Sequence, residues 1–221
     1  MLNLSNKVKY IAIEGVIGAG KTTLSKKLSE SLNAQLILED FDENPFLERF
    51  YENPKAYAFH TQIYFLLSRF KQLQKLKQPE LFHEYIVADY IFEKDKIFAY
   101  LNLHDDELKL YETITTNIEK AVVVPDIIIY LQSTTDRLMN NIMYRNRSYE
   151  QNMSEQYIND LNEAYNYFFF RYRATKVMIV DTNEVDFLNN EQDYQNLLAE
   201  ILKNDHPSLS YFNPASKRIA K

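Results

Sequence analysis

The chain has no cysteine in its 221 residues, which excludes disulfides and thiolate metal sites. Histidine is scarce too. His60, His83, His104 and His206 are scattered without metal-ligand spacing and read as surface or core positions rather than as a zinc site. Bases are outnumbered, 25 against 31 acids, for a net charge of −6. A chain of that balance lacks the basic face that nucleic acid requires, so nucleic acid is not an expected partner. No apolar run approaches membrane-spanning length, and the opening residues carry no secretory pattern. No membrane partner and a cytoplasmic location are therefore expected. Glycine is the most telling shortage. There are three, where average usage would place about fifteen, and all lie in "EGVIGAGKT", Glu14–Thr22. Beyond Gly20 there is none, which removes the D-x-x-G switch of a Ras-type GTPase and the glycine-bearing signature of an ABC transporter ATPase.

What is present is ordinary for a globular protein: 46% apolar and 25% charged residues, with a length suited to one domain. "VKYIAIEG" is continuously apolar at its centre, as a strand buried on both faces must be. "QLILED", "EYIVAD", "DIIIYL" and "KVMIVD" read as four more strands. Helical spacing separates them. Leu24, Leu28 and Leu32 recur every four residues, and "NPFLERFYENP" is a short helix between proline-marked breaks. "KAYAFHTQIYFLLSRFKQLQKLK" is a long helix stopping near Pro79, and a last helix covers about Asn190 to Lys203. Strand and helix in alternation predict an α/β fold, a five-stranded parallel sheet flanked by helices. The chain is expected to be a single domain over residues 1–221. The segment from about 205 to 221, with two prolines and a basic end, is expected to lie as a surface tail.

"GVIGAGKT" fits G-x-x-x-x-G-K-[ST], the phosphate-binding loop, between a buried strand and a helix start. Successive backbone N–H groups of such a loop turn inward to phosphate oxygens. Side chains obstruct that approach, and glycine adopts the backbone most freely. The helix that follows adds the partial positive charge of its N-terminus. Gly15, Val16, Ile17, Gly18, Ala19, Gly20, Lys21, Thr22 and Thr23 are thus the predicted ATP cradle. Lys21 is expected to reach the β- and γ-phosphates, and the Thr22 hydroxyl to ligate Mg²⁺. With the glycine-dependent hydrolases excluded, a small-molecule kinase is the expected class.

Four further stretches bear on the phosphoryl acceptor. Glu39, in "LILED", falls at the carboxyl end of a parallel strand, where ligand crevices open. A carboxylate there can accept the proton of an attacking hydroxyl. In the long helix, Gln62 and Arg69 are seven apart and share a face with Phe59 and Leu66. An amide amid apolar residues needs a partner, which a nucleobase edge or neighbouring backbone supplies. Asp89 ends the third strand and is eligible as a metal organiser or as the base itself. Arg145 and Arg147 follow a helix and can close over a transferring phosphoryl group as a lid, or stand as surface charge. The aromatic run "YNYFFFRY", Tyr165–Tyr172, reads as core or as a dimer contact.

Taken in order, these motifs resemble the deoxynucleoside kinases, especially the bacterial deoxyadenosine and deoxyguanosine kinases. The family's I-E-G-x-I-G-A-G-K-[ST]-T stands here as "IEGVIGAGKTT". Its Y-E-x-P, followed by F-x-x-Q and an arginine seven later, stands as Tyr51–Pro54, Phe59, Gln62 and Arg69. Ile97–Ala99 match its "IFA", and Arg145, Arg147 and Glu150 match its R-x-R-x-x-E lid. "DTNEVDF", Asp181–Phe187, is similar to its D-x-N-E segment. The resemblance implies a P-loop kinase fold with a helical arginine lid, usually in a homodimer. It implies that Tyr51 and Glu150 hold the sugar 3′-hydroxyl and that Gln62 reads the base with Arg69 nearby. It further implies that Phe98 stacks on the base, that Glu39 lies beside the 5′-hydroxyl, and that Asp181, Asn183 and Glu184 hold the donor adenine.

Two positions depart from the family pattern. Its strand-three acid is followed by Arg and Ser, whereas Asp89 is followed by Tyr90 and Ile91, which leaves the arginine's place to Lys94 or Lys96. Its lid starts with an arginine four residues before Arg145, where Asn141 stands. Glu39 and Asp89 are both eligible proton acceptors; Glu39 is taken as the acceptor and Asp89 as the Mg²⁺ organiser. The expected reaction is ATP-dependent phosphorylation of a deoxynucleoside 5′-hydroxyl, with a purine, deoxyadenosine, favoured by the resemblance. A thymidylate-type monophosphate kinase would need more basic residues than these Tyr-, Gln- and acid-rich acceptor segments contain. The rival from another class is a nucleotide-binding regulator without turnover.

Overall fold

The computed structural model describes residues 8–77, 82–150 and 153–212. The first apolar run forms β1, Tyr10–Gly15, buried at every residue. The remaining strands are β2 (Gln35–Ile37), β3 (Ile86–Ala88), β4 (Ile127–Gln132), β5 (Lys176–Asp181) and β6 (Leu209–Phe212). They form one parallel sheet in the order β2-β3-β1-β4-β5-β6. The helices are α1 (Lys21–Leu32), α2 (Leu47–Glu52), α3 (Pro54–Gln74), α4 (Lys94–Asn102), α5 (Asp105–Ile118), α6 (Thr135–Arg145), α7 (Glu155–Arg171) and α8 (Glu191–Ile201). The chain builds β2 and β3 on one side of β1 and β4 to β6 on the other. Its connections therefore diverge at β1, and a crevice opens at that strand's carboxyl end.

The sheet has six strands where five were expected. β6 pairs in parallel with Val177–Val180 of β5 and arises in the segment expected as a surface tail. Four residues are too few to announce a strand by periodicity, yet Phe212 and the preceding His206 are buried. Residues 213–221 of that segment lie outside the described residues, as does Pro79. The long helix α3 ends at Gln74 and tightens into a 3₁₀ turn, Lys75–Lys77.

Local rules explain most elements. Leu24 and Leu28 of α1 are wholly buried, the inner stripe of an amphipathic helix. Pro54 opens α3 at a position where its missing N–H costs nothing. Where left-handed backbone closes a helix, asparagine replaces glycine: Asn33 after α1 has φ 46° and Asn146 after α6 has φ 52°. The aromatic run of α7 divides between core and surface. Tyr165 and Phe169 are buried, with Phe169 stacked on Tyr130 of β4 at 4.5 Å, while Tyr167 is exposed. Among the described residues, no helix is long and apolar enough to cross a membrane.

Candidate active site

β1 delivers the glycine loop to the crevice, and α1 starts at its end. The loop's glycines are demanded by the protein itself. A Cβ at Gly15 would lie 2.8 Å from the Leu131 carbonyl oxygen of β4, and one at Gly18 would lie 2.7 Å from that of Leu138 in α6. Asn141 of α6 braces the same loop, its amide donating to the Gly18 carbonyl at 2.8 Å. Lys21 curls back beneath the loop, its Nζ donating to the carbonyls of Gly15 (2.8 Å) and Val16 (3.1 Å). Burial and the nearby Lys94 charge bring its pKa down to about 8, against the opposing pull of Glu14, Glu39 and Asp89.

Thr22 donates its hydroxyl to Asp89 Oδ2 at 2.7 Å, and the Glu39 backbone N–H donates to Oδ1 at 2.7 Å. Asp89 thus ties the start of α1 to the exit of β2. Burial, then the charge of Glu39, raises its pKa. No cluster of three or more His, Cys, Asp or Glu among the described residues could hold a metal alone. The Thr22–Asp89 pair is instead an all-oxygen fragment of the kind Mg²⁺ accepts. Mg²⁺ therefore fits the residues present.

Glu39 is the hub of a buried charge network. Arg69 of α3 donates Nε at 2.7 Å, and a terminal nitrogen, to Oε1. Lys94 of α4 donates to Oε2 at 2.5 Å. The remaining terminal nitrogen of Arg69 binds Asp95. Burial alone would raise the Glu39 pKa, but the two cations hold it down at about 2. Gln62, one face of α3 with Arg69, donates its amide to the Asp95 backbone carbonyl at 2.7 Å.

The other end of the site is built by α2 and the residues after α6. Tyr51 stacks on Tyr149 with ring centroids 6.0 Å apart and planes 8° from parallel. Glu150 accepts from Arg145 at 3.1 Å (Nε) and 2.5 Å (terminal nitrogen) and lies 3.6 Å from Arg147. The Arg147 guanidinium stands over Phe41 at 5.3 Å.

These groups converge on one cavity of about 670 Å³. Residues 17–23, Glu39, Tyr51, Gln62, Arg69, Phe98, Arg145, Arg147 and Glu150 line it. Gly15, Val16 and Asp89 stand behind that wall and act on it through Lys21, Thr22 and Glu39. Asp181, Asn183 and Glu184 do not reach the cavity; Thr182, Val185, Asp186, Phe187 and Leu188 do. The reason is local. Asp181 Oδ1 accepts from the backbone and side chain of Asn183, at 2.9 and 2.7 Å, and Asn183 accepts from Thr134 at the start of α6. The polar residues hold the turn, and their neighbours face inward.

Sequence reasoning missed Asp95 and left Lys94 and Lys96 undecided. "EKDK", Glu93–Lys96, reads as a solvated helix start, yet Lys94 and Asp95 are 3% and 0% exposed. The available signal was the need of a buried Arg69 and Glu39 for partners. Lys96 pairs with Glu119 away from the cavity. Tyr90 is buried with its hydroxyl on Gln72 at 2.6 Å, so neither supplies a charge to the site.

A parallel sheet, a phosphate loop and a carboxylate-bearing cavity beside it define a phosphate-loop kinase. Residues 11–205 match the family model for deoxynucleoside kinase. The deoxyguanosine kinase of Bacillus subtilis (strain 168) is 32% identical over 207 residues, covering 89% of this chain and 97% of the relative. The deoxyadenosine/deoxycytidine kinase of the same strain is 31% identical, covering 88% and 92%. The deoxyadenosine kinase of Dictyostelium discoideum is 34% identical over 209 residues, covering 92% and 82%. Among solved structures, deoxyadenosine kinase from M. mycoides with bound dATP superposes with a TM-score of 0.76 at 28% identity, covering 88% of this chain and 100% of that one. The chain belongs to the deoxynucleoside kinase family. It is an enzyme that phosphorylates deoxynucleosides.

Proposed function

We propose that the chain transfers the γ-phosphoryl group of ATP to the 5′-hydroxyl of deoxyadenosine. The commitment of Arg69 carries the choice of base. Its guanidinium is tied to Glu39 and Asp95, which withdraws donors that would suit the paired acceptors of guanine, O6 and N7. Gln62 is left as the polar reader. One amide N–H serves the Asp95 backbone. The other N–H and the amide oxygen make a donor–acceptor pair that suits the adenine amino group and its adjacent ring nitrogen. The names of the relatives divide among guanine, adenine and cytosine substrates. Measuring kcat/KM for the four deoxynucleosides with ATP tests the reading. Deoxyadenosine is expected to exceed deoxyguanosine by about tenfold or more, and the reverse order would overturn it.

In this reading Lys21 leaves the carbonyls of Gly15 and Val16 for the β- and γ-phosphates. Thr22 and Asp89 would hold Mg²⁺, which when bound would neutralise charge on the transferring group. Glu39 accepts the 5′-hydroxyl proton as the new P–O bond forms. The transition state is largely dissociative, so an acceptor of low basicity suffices. Tyr51 and Glu150 hold the 3′-hydroxyl, and Phe98 stacks on the base. A sugar hydroxyl at Glu150 competes with Arg145, which releases Arg145 and Arg147 toward the transferring group. The donor adenine lies along the Thr182–Leu188 wall, with Asp181, Asn183 and Glu184 shaping the turn. The setting we propose is a cytoplasmic homodimer. Exposed Tyr100 of α4, Leu110 of α5 and Tyr167 of α7 offer apolar surface that a second copy would cover.

A further inference from the structure

We propose that Lys94 is a catalytic residue, an ammonium shared between Glu39 and the transferring phosphoryl group; this rests on the reading of Glu39 as proton acceptor. Lys94 belongs to the first turn of α4 and is 3% exposed, yet it lines the same cavity as the phosphate loop and Glu39. A lysine so deeply buried needs its charge answered. Glu39 Oε2, at 2.5 Å, is the acceptor the structure gives it, one acceptor for three N–H donors. The remaining donors are free for oxygens arriving in the cavity. Phe41 and Phe98 flank the ammonium at 5.7 and 5.9 Å, keeping water from it. Its charge acts on both Glu14 and Lys21 at the base of the loop, whose residues 18–23 line the cavity with it.

Holding Glu39 in place does not require Lys94. Arg69 already grips Oε1 with two nitrogens and is itself fixed by Asp95. The lid cations are more distant from the solvent-free interior: the side chains of Arg145 and Arg147 are 36% and 34% exposed. Lys94 is thus the buried cation on the acceptor side with donors to spare. The chemistry gives it a reason to move. The 5′-oxygen bonds to the γ-phosphorus while the bond to the β–γ bridging oxygen breaks, its electron pair leaving with ADP. The 5′ proton passes to Glu39. Negative charge then disappears from the carboxylate and is carried by the phosphoryl oxygens, and the ammonium follows it.

The test uses the full chain with ATP, Mg²⁺ and the deoxynucleoside it turns over best. Lys94→Met and Lys94→Gln are compared alone and in a Glu39→Gln background. Lys94→Gln keeps a donor for Glu39 and covers the case in which Lys94→Met does not fold. Each is expected to lower kcat by about 100-fold or more, with the nucleoside KM changed by less than about fivefold. A loss of at least about tenfold is expected to persist in the Glu39→Gln background. Near-normal kcat in the Lys94 variants, with Glu39→Gln impaired, overturns the assignment and leaves the Glu39 reading intact. A loss that vanishes in the Glu39→Gln background overturns it too, because Lys94 would then act only by positioning Glu39. Near-normal turnover in Glu39→Gln itself removes the acceptor reading and the proposal together.

Discussion

Arg69, from the interior of α3, donates two N–H groups to one oxygen of Glu39, two residues past the end of β2. Their side chains are 5% and 2% exposed. This joint brings the helix that carries Gln62 against a carboxylate lining the same cavity as the phosphate loop, so the groups proposed for base recognition and for phosphoryl transfer share one buried network. A pair so placed is costly to break from one side.

Glu39→Gln is therefore expected to lower both turnover and stability. The loss of turnover is about 1,000-fold or more, and the loss of stability is about 3 kcal/mol. Lys21→Ala is expected to cost as much turnover while leaving the fold intact. Steady-state kinetics and urea unfolding of both variants check this. A Glu39→Gln protein with near-normal turnover would sink the acceptor assignment.

The same network makes stability depend on acidity. Burial would raise the Glu39 pKa, but Arg69 and Lys94 hold it at about 2, below its ordinary 4.5. Its stabilising contribution is complete above the ordinary value and is lost as pH falls toward the folded one. The difference in unfolding free energy between the parent and Glu39→Gln is expected to narrow by about half or more between pH 7 and pH 3. Glu14, raised by burial, is common to both proteins and cancels; Asp89 and Asp95 are raised by burial and also by the Glu39 charge, so their relief as pH falls offsets part of the narrowing. A pH-independent difference would show that the cations do not hold Glu39.

Asp89 touches Thr22 at 2.7 Å, so if the pair holds Mg²⁺ as proposed, metal affinity depends on a residue outside the cavity wall. Asp89→Asn is expected to raise the Mg²⁺ concentration for half-maximal activity by about tenfold or more. Titrating activity against Mg²⁺ at saturating ATP decides it, and an unchanged midpoint would place the metal elsewhere.

Glu150 is buried and occupied by Arg145, so a substrate must compete for it. Glu150→Gln is expected to raise the nucleoside KM. It should also shrink the penalty for a 3′-deoxy substrate, which in the parent is about tenfold or more because a hydrogen bond to a charged group is lost and Arg145 stays on Glu150. Equal penalties in the two proteins would exclude Glu150 as the 3′-hydroxyl partner.

Gly18 has φ +87°, and an added Cβ would meet the Leu138 carbonyl oxygen at 2.7 Å. Gly18→Ala is expected to destabilise the protein by about 2 kcal/mol even with no nucleotide present. Thermal unfolding without ligand separates this packing cost from any loss of phosphate binding.

Much of this architecture is legible in local sequence. β5 is readable as "KVMIVD" because continuous apolar runs and helical spacing are short-range signals. The phosphate loop is equally plain, since backbone approach to phosphate limits which residues fit. The glycine-free remainder is explained by Asn33 and Asn146, which take the left-handed helix ends. β6 was not legible, because its four residues acquire strand character only by pairing with β5.

The sequence by itself determined the phosphate loop and the succession of strands and helices along the chain that frames it, both of which depend on neighbours along the chain. Only the tertiary structure decided which side chains line the cavity and which turn away from it. It buried Lys94 and Asp95 out of a run that looks solvated, turned Lys96 away to Glu119, and presented Val185 and Phe187 in place of Asp181 and Asn183. The physical reason is that a charge's role is set by what surrounds it. Arg69 lies 30 residues from Glu39 and 26 from Asp95, and no local pattern records that they meet.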